Sequence, residues 1–269
     1  MSTPFTLGNL HGLIDLPEEP GERPAVVICH GFKGFQEWGF FPYLAALLAD
    51  RGFVVIRFNL SGAGMLPGDD LVTDPGAFTA NTHGKELSDL LSVLEATGRT
   101  LAPGRVDRNR LGLFGHSRGG GNSILAAAQE PWFDQIRALV TWASVSTFDR
   151  YTPEQKEDWR RNGRFPVVNA RTGQQLALGL DLLEELETLD ILAAARTIRI
   201  PWLIVHGEDD ETVPVAEADR LAEVSAGELL RIPGANHTFG VRHPFVCPTP
   251  QLIQALNATQ RWFLRHLVG

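Results

Sequence analysis

The chain has 269 residues, a formal charge of −8 and 43% hydrophobic residues. This composition is typical of a soluble globular protein with a sizeable core, in one large α/β domain or two small ones. The negative charge argues against DNA or RNA as a partner, because binding to phosphates needs clustered Lys and Arg side chains. No apolar run approaches the length of a transmembrane helix, so we expect no membrane partner either.

Strand and helix patterns alternate along most of the chain. Continuous apolar runs are typical of strands buried on both faces of a sheet, and apolar residues at helical spacing indicate helices. The predicted strands cover 10–16, 25–29, 53–58, 111–114, 138–143, 202–205 and 229–232. The predicted helices cover 37–51, 82–95, 122–129, 215–224 and 251–267. This β-α-β order predicts a mostly parallel sheet with helices on both faces.

One segment, 144–199, interrupts this alternation and is far longer than an ordinary connection. It contains a polar, charged stretch and then a leucine-rich helical pattern at Leu176, Leu180, Leu183, Leu186 and Leu189. We expect a helical cap over a pocket, inserted between two core segments, 1–143 and 200–269. An irregular surface excursion is the alternative. Trp159, Phe148 and Phe165 would line the pocket, or they would form the core of the cap.

A candidate nucleophile lies between the strand at 111–114 and the helix at 122–129. The sequence there is Gly115-His116-Ser117-Arg118-Gly119. A tight strand-to-helix turn of this G-x-S-x-G type lifts a serine hydroxyl above the edge of a sheet. Its glycines leave room where backbone segments come close together. The motif also occurs by chance, so a glycine-rich loop with a capping serine remains the alternative.

A serine hydroxyl needs a base within hydrogen-bond reach, and the base needs an acid that orients it. Two later stretches supply candidates: the acidic run 208–211, and His237 in the loop 234–239. Both follow predicted strands, and open α/β sheets bind ligands where the carboxyl ends of parallel strands meet. The order serine, acid, histidine is that of the α/β-hydrolases. Spacing alone does not choose between Asp209 and Asp210.

Acyl transfer also builds negative charge on the carbonyl oxygen of the substrate, which fixed N–H donors stabilise. The N–H of Arg118, directly after the serine, is one predicted donor. The second donor in such folds comes from the loop after an earlier strand. We assign that donor to Phe32, and we expect Gly31 and His116 to contact the substrate beside it. The alternative is that residues 30–31 form only a tight turn.

From residue 14 to its end, the chain resembles an α/β-hydrolase. The resemblance depends on His30-Gly31, the turn at 115–119, the stretch His206-Gly207-x-x-Asp210-x-x-Val213-Pro214 and the Gly-x-x-His237 loop. It implies that Asp210 is the acid of a Ser-Asp-His triad. The cap segment resembles the bacterial acyl and cinnamoyl (feruloyl) esterase and dienelactone-hydrolase-like branch. Many relatives carry Arg-Gly-x-Gly where this chain has Ser61-Gly62-Ala63-Gly64, so we expect a different acyl pocket.

These observations lead to the hypothesis of a serine hydrolase that cleaves a small-molecule carboxylic ester through an acyl-enzyme on Ser117, without a cofactor. A thioesterase and a hydrolase of small peptides or amides are alternatives. For a peptide, Glu184, Glu185 and Glu187 would bind a free amine, or they would form the solvated face of a helix. From another class, a non-catalytic ligand-binding protein on the same fold remains open.

The histidines and cysteines predict neither a metal site nor a disulfide framework. A metal site at His206, Asp209 and His237 lacks any known ligand spacing, so we expect no metal. His83 and His243 are expected at the surface, with His243 as the base if His237 fails. The two cysteines do not form a disulfide framework, although a single bridge between them remains possible.

Residues 1–10 lack a secretion signal, so we expect a cytoplasmic enzyme. Its oligomeric state is open, with a homodimer as one candidate.

Overall fold

A central sheet organises the molecule and carries the residues of interest at one edge. The structure is a computed structural model that describes residues 2–186 and 188–269, without the side chain of Phe133. Its strands are β1 (Ser2–Leu7), β2 (Leu10–Asp15), β3 (Arg23–Cys29), β4 (Val54–Asn59), β5 (Val106–His116), β6 (Ile136–Trp142), β7 (Arg164–Val168), β8 (Gln175–Gly179), β9 (Trp202–Gly207) and β10 (Glu228–Ile232). Strands β7 and β8 form a separate hairpin, and the other eight form the sheet.

The sheet is parallel over most of its width, which confirms the prediction. Its strand order is β1-β2-β4-β3-β5-β6-β9-β10. All neighbours from β4 to β10 pair in parallel. Only β1 and β2 are antiparallel, joined by a turn in which Gly8 has a positive φ of 61°. The sequence pattern missed β1, whose residues are mostly exposed and so lack an apolar run.

Helices cover both faces of this sheet, again as predicted. They are α1 (Phe41–Ala49), α2 (Pro75–Thr79), α3 (His83–Ala96), α4 (Arg118–Ala127), α5 (Trp132–Gln135), α6 (Pro153–Asn162), α7 (Leu180–Glu185), α8 (Ile191–Thr197), α9 (Ala216–Val224) and α10 (Pro250–Phe263). Apolar residues of α3, α4, α8 and α9 share one buried cluster, and those of α1 and α10 share the other. Alternate residues of β3 point into the two clusters, so this strand is buried on both sides.

Several helices begin at a side-chain cap that the sequence supplies. The hydroxyls of Thr82 and Thr249 accept hydrogen bonds from the N–H groups of Lys85 and Leu252 at 3.2 and 3.1 Å. Thr152 and Gln155 form a reciprocal capping box at the start of α6. Such caps satisfy N–H groups that have no partner inside the helix, and each stabilises its helix by about 1 kcal/mol. They fix where α3, α6 and α10 start.

The long insertion contains α6, the β7–β8 hairpin and α7. The predicted leucine-rich helix is wrong in its extent, because Leu176 lies in β8 and the helix spans only Leu180–Glu185. Residues 175–179 instead pair with β7, and alternate side chains of β8 are buried. Gly179 ends the strand against Thr79, where a Cβ would lie 2.6 Å from the Thr79 carbonyl oxygen. We refer to the unit 150–186 as the cap.

Helix α8 lies within the predicted insertion 144–199 but contacts α4 and α9 of the core layer. Cys29 is buried, Cys247 is exposed, and both are free thiols. None of the helices in the described ranges has the length and apolar character that a membrane crossing requires.

Candidate active site

Ser117 occupies the turn between β5 and α4 in a conformation that few residues adopt. Its φ of 57° and ψ of −122° lie outside the ordinary regions for a residue with a Cβ, which costs about 1–3 kcal/mol. Its N–H donates to the Trp142 carbonyl at 2.9 Å, which ties the turn to β6. On the other side, a Cβ at Gly31 would lie 2.8 Å from the Ser117 Cβ. The turn is therefore held between β6 and the loop after β3.

Ser117, His237 and Asp210 form one hydrogen-bonded row. His237 Nε2 lies 3.0 Å from Ser117 Oγ, and His237 Nδ1 lies 2.8 Å from Asp210 Oδ2. Asp210 Oδ1 accepts the N–H groups of Thr212 and Val213 at 2.9 and 2.8 Å, which fixes the carboxylate. Burial disfavours the charge of Asp210, but hydrogen bonds from His206 and His237 prevail and hold its pKa well below the usual range. Asp210 is therefore an anion that orients His237.

The structure distinguishes the two aspartates that spacing left open. Asp210 is buried and faces His237, whereas Asp209 is exposed. The Asp209 N–H donates to the Ala235 carbonyl at 2.9 Å. His206 is fully buried behind the pair, with Nε2 at 2.8 Å from the Val213 carbonyl and 3.4 Å from Asp210 Oδ2. No group of metal-binding side chains occurs among the described residues.

The backbone N–H groups of Phe32 and Arg118 have no acceptor within the part of the chain that the structure describes. His30 holds the loop that carries Phe32: its Nδ1–H donates to the Gly31 carbonyl at 2.9 Å, and its Nε2 accepts the Leu60 N–H at 3.1 Å. Two free donors flanking the Ser117 hydroxyl could hold an oxyanion.

The side chains of these two residues also pack on each other. The Arg118 guanidinium lies over the Phe32 ring, 4.0 Å from its centroid. Beneath it, buried Glu86 accepts hydrogen bonds from Arg118 Nη1 at 3.2 Å and from Asn122 Nδ2 at 2.9 Å. Burial opposes the charge of Glu86, but Arg118 and the neighbouring polar groups lower its pKa below the ordinary value. Asn81 Nδ2 also donates a hydrogen bond to Glu86, at 2.6 Å.

A cavity of about 570 Å³ opens above this row. Its wall contains the predicted residues Gly31, Phe32, His116, Ser117, Arg118 and His237. His116 Nε2–H donates to the His237 carbonyl at 3.0 Å, and its ring lies 4.9 Å from the His237 ring. Burial and the nearby His237 lower the pKa of His116 to about 3, so His116 is a neutral support for His237.

Trp159, predicted to contact substrate, does not line the cavity. Its side chain is fully buried, with the rings of Tyr151 and Phe165 both 5.1 Å away. Phe148 and Tyr151 take its place in the cavity wall. Trp159 therefore belongs to the core of the cap, the alternative considered for it above.

One further sequence-based expectation needs correction, and several other candidate residues lie away from the cavity. His83 was expected at the surface but is buried, stacked on Phe148 at 3.9 Å, because α3 packs its first turn under the cavity. Burial and Arg118 lower the pKa of His83 to about 3. His243 accepts the Gly39 N–H and does not line the cavity. Glu184 and Glu185 lie outside the cavity wall, and Glu187 lies outside the described residues.

Sequence reasoning missed Glu86 and the cationic part of the wall. Glu86 lies in a helical pattern 32 residues before Arg118, so nothing local indicated their contact. Lys33, Arg150 and Arg171 all line the cavity. Lys33 directly follows the assigned donor Phe32, which was a usable signal. Arg150 and Arg171 belong to the insertion, whose fold the pattern did not resolve.

The fold agrees with that of known proteins. The model of the alpha/beta hydrolase family matches residues 26–250. One relative is 2,6-dihydropseudooxynicotine hydrolase of Paenarthrobacter nicotinovorans, 28% identical over 81% of this chain and 53% of its own length. Another is the bis(hydroxyethyl) terephthalate hydrolase of Streptomyces coelicolor, 32% identical over 50% of this chain and 36% of its own length. The chain thus spans about half or less of these two relatives.

Among solved structures, Est1E of Butyrivibrio proteoclasticus with bound ferulic acid has a TM-score of 0.77. It is 22% identical, and the match covers 99% of this chain and all of that chain. Dienelactone hydrolase of Anabaena variabilis has a TM-score of 0.63 at 17% identity, over 99% of this chain and 97% of its own. At these identities the likeness concerns the fold. The family match extends over most of the residues described above, and the chain belongs to the alpha/beta hydrolase family.

Proposed function

We propose that the protein is a serine esterase that cleaves carboxylic esters through an acyl-enzyme on Ser117. The observation that carries the proposal is the row from Ser117 Oγ through His237 to Asp210, with separations of 3.0 and 2.8 Å. Nucleophile, base and orienting acid in this arrangement are the parts that acyl transfer needs. The hydrolase names of relatives such as the terephthalate-ester hydrolase add support.

In this mechanism, His237 Nε2 takes the proton of Ser117 as Oγ attacks the ester carbonyl. The N–H groups of Phe32 and Arg118 stabilise the negative charge that develops on the carbonyl oxygen. The bond to the alcohol then breaks, and His237 returns the proton to the leaving oxygen. Water attacks the acyl-enzyme with His237 again as base, which releases the acid and restores Ser117. Asp210 keeps His237 in the required tautomer and stabilises its protonated form.

The test is hydrolysis of p-nitrophenyl esters from C2 to C12 and of a feruloyl ester, with Ser117→Ala beside the natural protein. We expect kcat to fall by roughly 10⁴–10⁶-fold in the variant, by comparison with the subtilisin triad. The cavity of about 570 Å³ should set an upper limit on chain length. A loss of less than tenfold would reject Ser117 as the nucleophile.

A fluorophosphonate probe separates the alternatives. Labelling of Ser117 without turnover of any ester would move the proposal to a thioester or amide substrate. Absence of both labelling and turnover would favour a non-catalytic ligand-binding protein. The matched control is Ser123→Ala, since Ser123 is buried in α4 and its hydroxyl donates to the Gly119 carbonyl at 2.7 Å.

A further inference from the structure

The charged side chains of the cavity wall all have the same sign. Lys33, Arg118, Arg150 and Arg171 line it, and none of the lining residues in the described ranges is acidic. The chain as a whole has the opposite balance, with 32 acidic and 24 basic residues. The cationic wall therefore does not follow from the composition and needs its own explanation.

Two of these cations are already neutralised. Arg118 pairs with Glu86 at 3.2 Å, and Arg171 lies 3.9 Å from Asp70 Oδ2. The other two bond only to backbone carbonyls: Lys33 Nζ donates to Val168 at 3.1 Å, and Arg150 Nη2 donates to Thr212 at 2.5 Å. The carboxylate next to Arg150 in the chain, Asp149, is paired with Lys156.

Lys33 and Arg150 retain donors for a ligand. An ammonium has three N–H groups and a guanidinium has five, and one from each is used. No described carboxylate lies within 4.0 Å of either group. Burial, together with the charge of Arg118, lowers the pKa of Lys33 below its ordinary value. An anion in the cavity would relieve this repulsion and form charge-assisted hydrogen bonds.

The rest of the wall suits the apolar body of such a ligand. Phe32, Trp38, Phe41, Val145 and Phe148 line the same cavity. A cavity of this size holds a small molecule with an apolar part and a few polar groups. The ligand that fits both halves of the wall has a hydrophobic segment and an acid group.

We infer that the substrate is an ester carrying an ionised acid group, which Lys33 and Arg150 bind while Ser117 attacks the ester carbonyl. This inference rests on the proposed function and specifies its substrate class. A cleft lined by charges of one sign also raises the local concentration of oppositely charged ligands. The preference should therefore weaken as salt screens the partly exposed cations.

Matched pairs of esters test the inference. On the acyl side, the pair is the 4-nitrophenyl monoester of glutarate and 4-nitrophenyl valerate. On the alcohol side, it is 4-acetoxybenzoate and 4-acetoxybenzamide. We expect kcat/KM to be about tenfold higher for the anionic member of at least one pair, as for one charge-assisted hydrogen bond. A 4-nitrophenyl monoester whose acyl chain ends in a phosphonate, compared with the glutarate monoester by kcat/KM, shows whether the cavity prefers a carboxylate or a phosphate-like group.

The double variant Lys33→Met and Arg150→Gln should lower the anionic-to-neutral ratio of kcat/KM at least fivefold, by the same reasoning. The control is Arg160→Gln, which removes one positive charge from an exposed position on α6 outside the cavity. Its ratio should equal that of the natural protein. A ratio of one or less in the natural protein, or a ratio that the double variant leaves unchanged, overturns the inference.

The two proposals fail in different ways. Turnover of valerate that depends on Ser117, without preference for the anionic ester, removes the inference and keeps the esterase. Binding of both glutarate and valerate esters to Ser117→Ala, measured by calorimetry, tests the inference when no ester is turned over. Equal binding of the two esters overturns it there too.

Discussion

The two halves of the cavity wall are held in different ways. The half that carries Ser117, His237 and Asp210 lies just after the ends of sheet strands and is fixed by partly buried hydrogen bonds around the buried Asp210. The cap half consists of Arg150, Tyr151 and residues 169–171. Behind it lie α6, which is largely exposed, and the aromatic cluster around Trp159. We propose a division of roles, in which residues at the ends of the sheet strands perform the chemistry and Arg150 of the cap helps to select the substrate.

The largest expected effect is on kcat, and it distinguishes Asp210 from its neighbour Asp209. Asp210→Asn should lower kcat by about 10⁴-fold, because His237 would then face an amide and lose its required tautomer. Asp209→Asn is the matched control, since Asp209 is exposed and its side chain does not face His237. Steady-state kinetics on one ester would check both. Equal losses would contradict the assignment of the acid, and a larger loss in Asp209→Asn would move it by one residue.

A smaller effect on kcat is expected from a change at Glu86, which lies beneath Arg118. Glu86→Gln keeps the size of the side chain but leaves the Arg118 guanidinium buried without its counter-charge. We expect kcat to fall by about tenfold with KM little changed, because Arg118 and Phe32 then hold their N–H groups less firmly.

The control for Glu86→Gln is Glu217→Gln. Glu217 is also buried, and it accepts the N–H and hydroxyl of Ser146 at 2.7 and 2.6 Å. Both variants should lose stability, but only Glu86→Gln should lose affinity for a boronic acid that mimics the tetrahedral intermediate. Equal affinity in the two variants would show that Glu86 has only a structural role.

Truncation of the buried Trp159 side chain should lower the stability of the cap without lowering that of the sheet. Trp159→Ala should cost about 3–5 kcal/mol of cap stability, as for other buried tryptophans. Hydrogen exchange should rise across 150–179 while the amides of β5 and α4 keep their protection. A uniform rise over cap and sheet would contradict the division into two halves.

Stability should also depend on pH, because of two buried histidines that line the cavity. The pKa of His83 and of His116 is held at about 3 in the folded protein, against about 6.5 in an unfolded chain. Between these values the unfolded chain binds more protons, so the free energy of unfolding falls as the pH decreases. Each histidine contributes about 1.4 kcal/mol per pH unit in this window.

His83→Phe keeps the stack on Phe148 and removes one of these protons. Urea unfolding at several pH values between 4 and 7 should give a shallower slope for the variant, by about one proton. An unchanged slope would mean that His83 is protonated in the folded protein.

What the sequence could predict follows the same division. The sheet and the turn around Ser117 were predictable, because buried strands form continuous apolar runs and the glycine-rich turn is a local signal. The choice of Asp210 over Asp209 needed family resemblance, since it depends on which carboxylate is buried. The contact of Glu86 with Arg118 was not predictable, because no local pattern joins residues so far apart. In the cap, a leucine spacing compatible with a helix was overridden by pairing between β7 and β8.

The tight contact at Gly31 has a consequence for how this protein could change by mutation. A Cβ there would meet both Ser117 and the His116 carbonyl, within 2.8 and 2.9 Å. Random mutagenesis of the loop and the turn would therefore mostly yield inactive or misfolded variants. The cap offers exposed positions where side chains can be exchanged without such collisions, as around Ala170. Libraries for new substrates, and natural divergence among close relatives, should concentrate their accepted changes there.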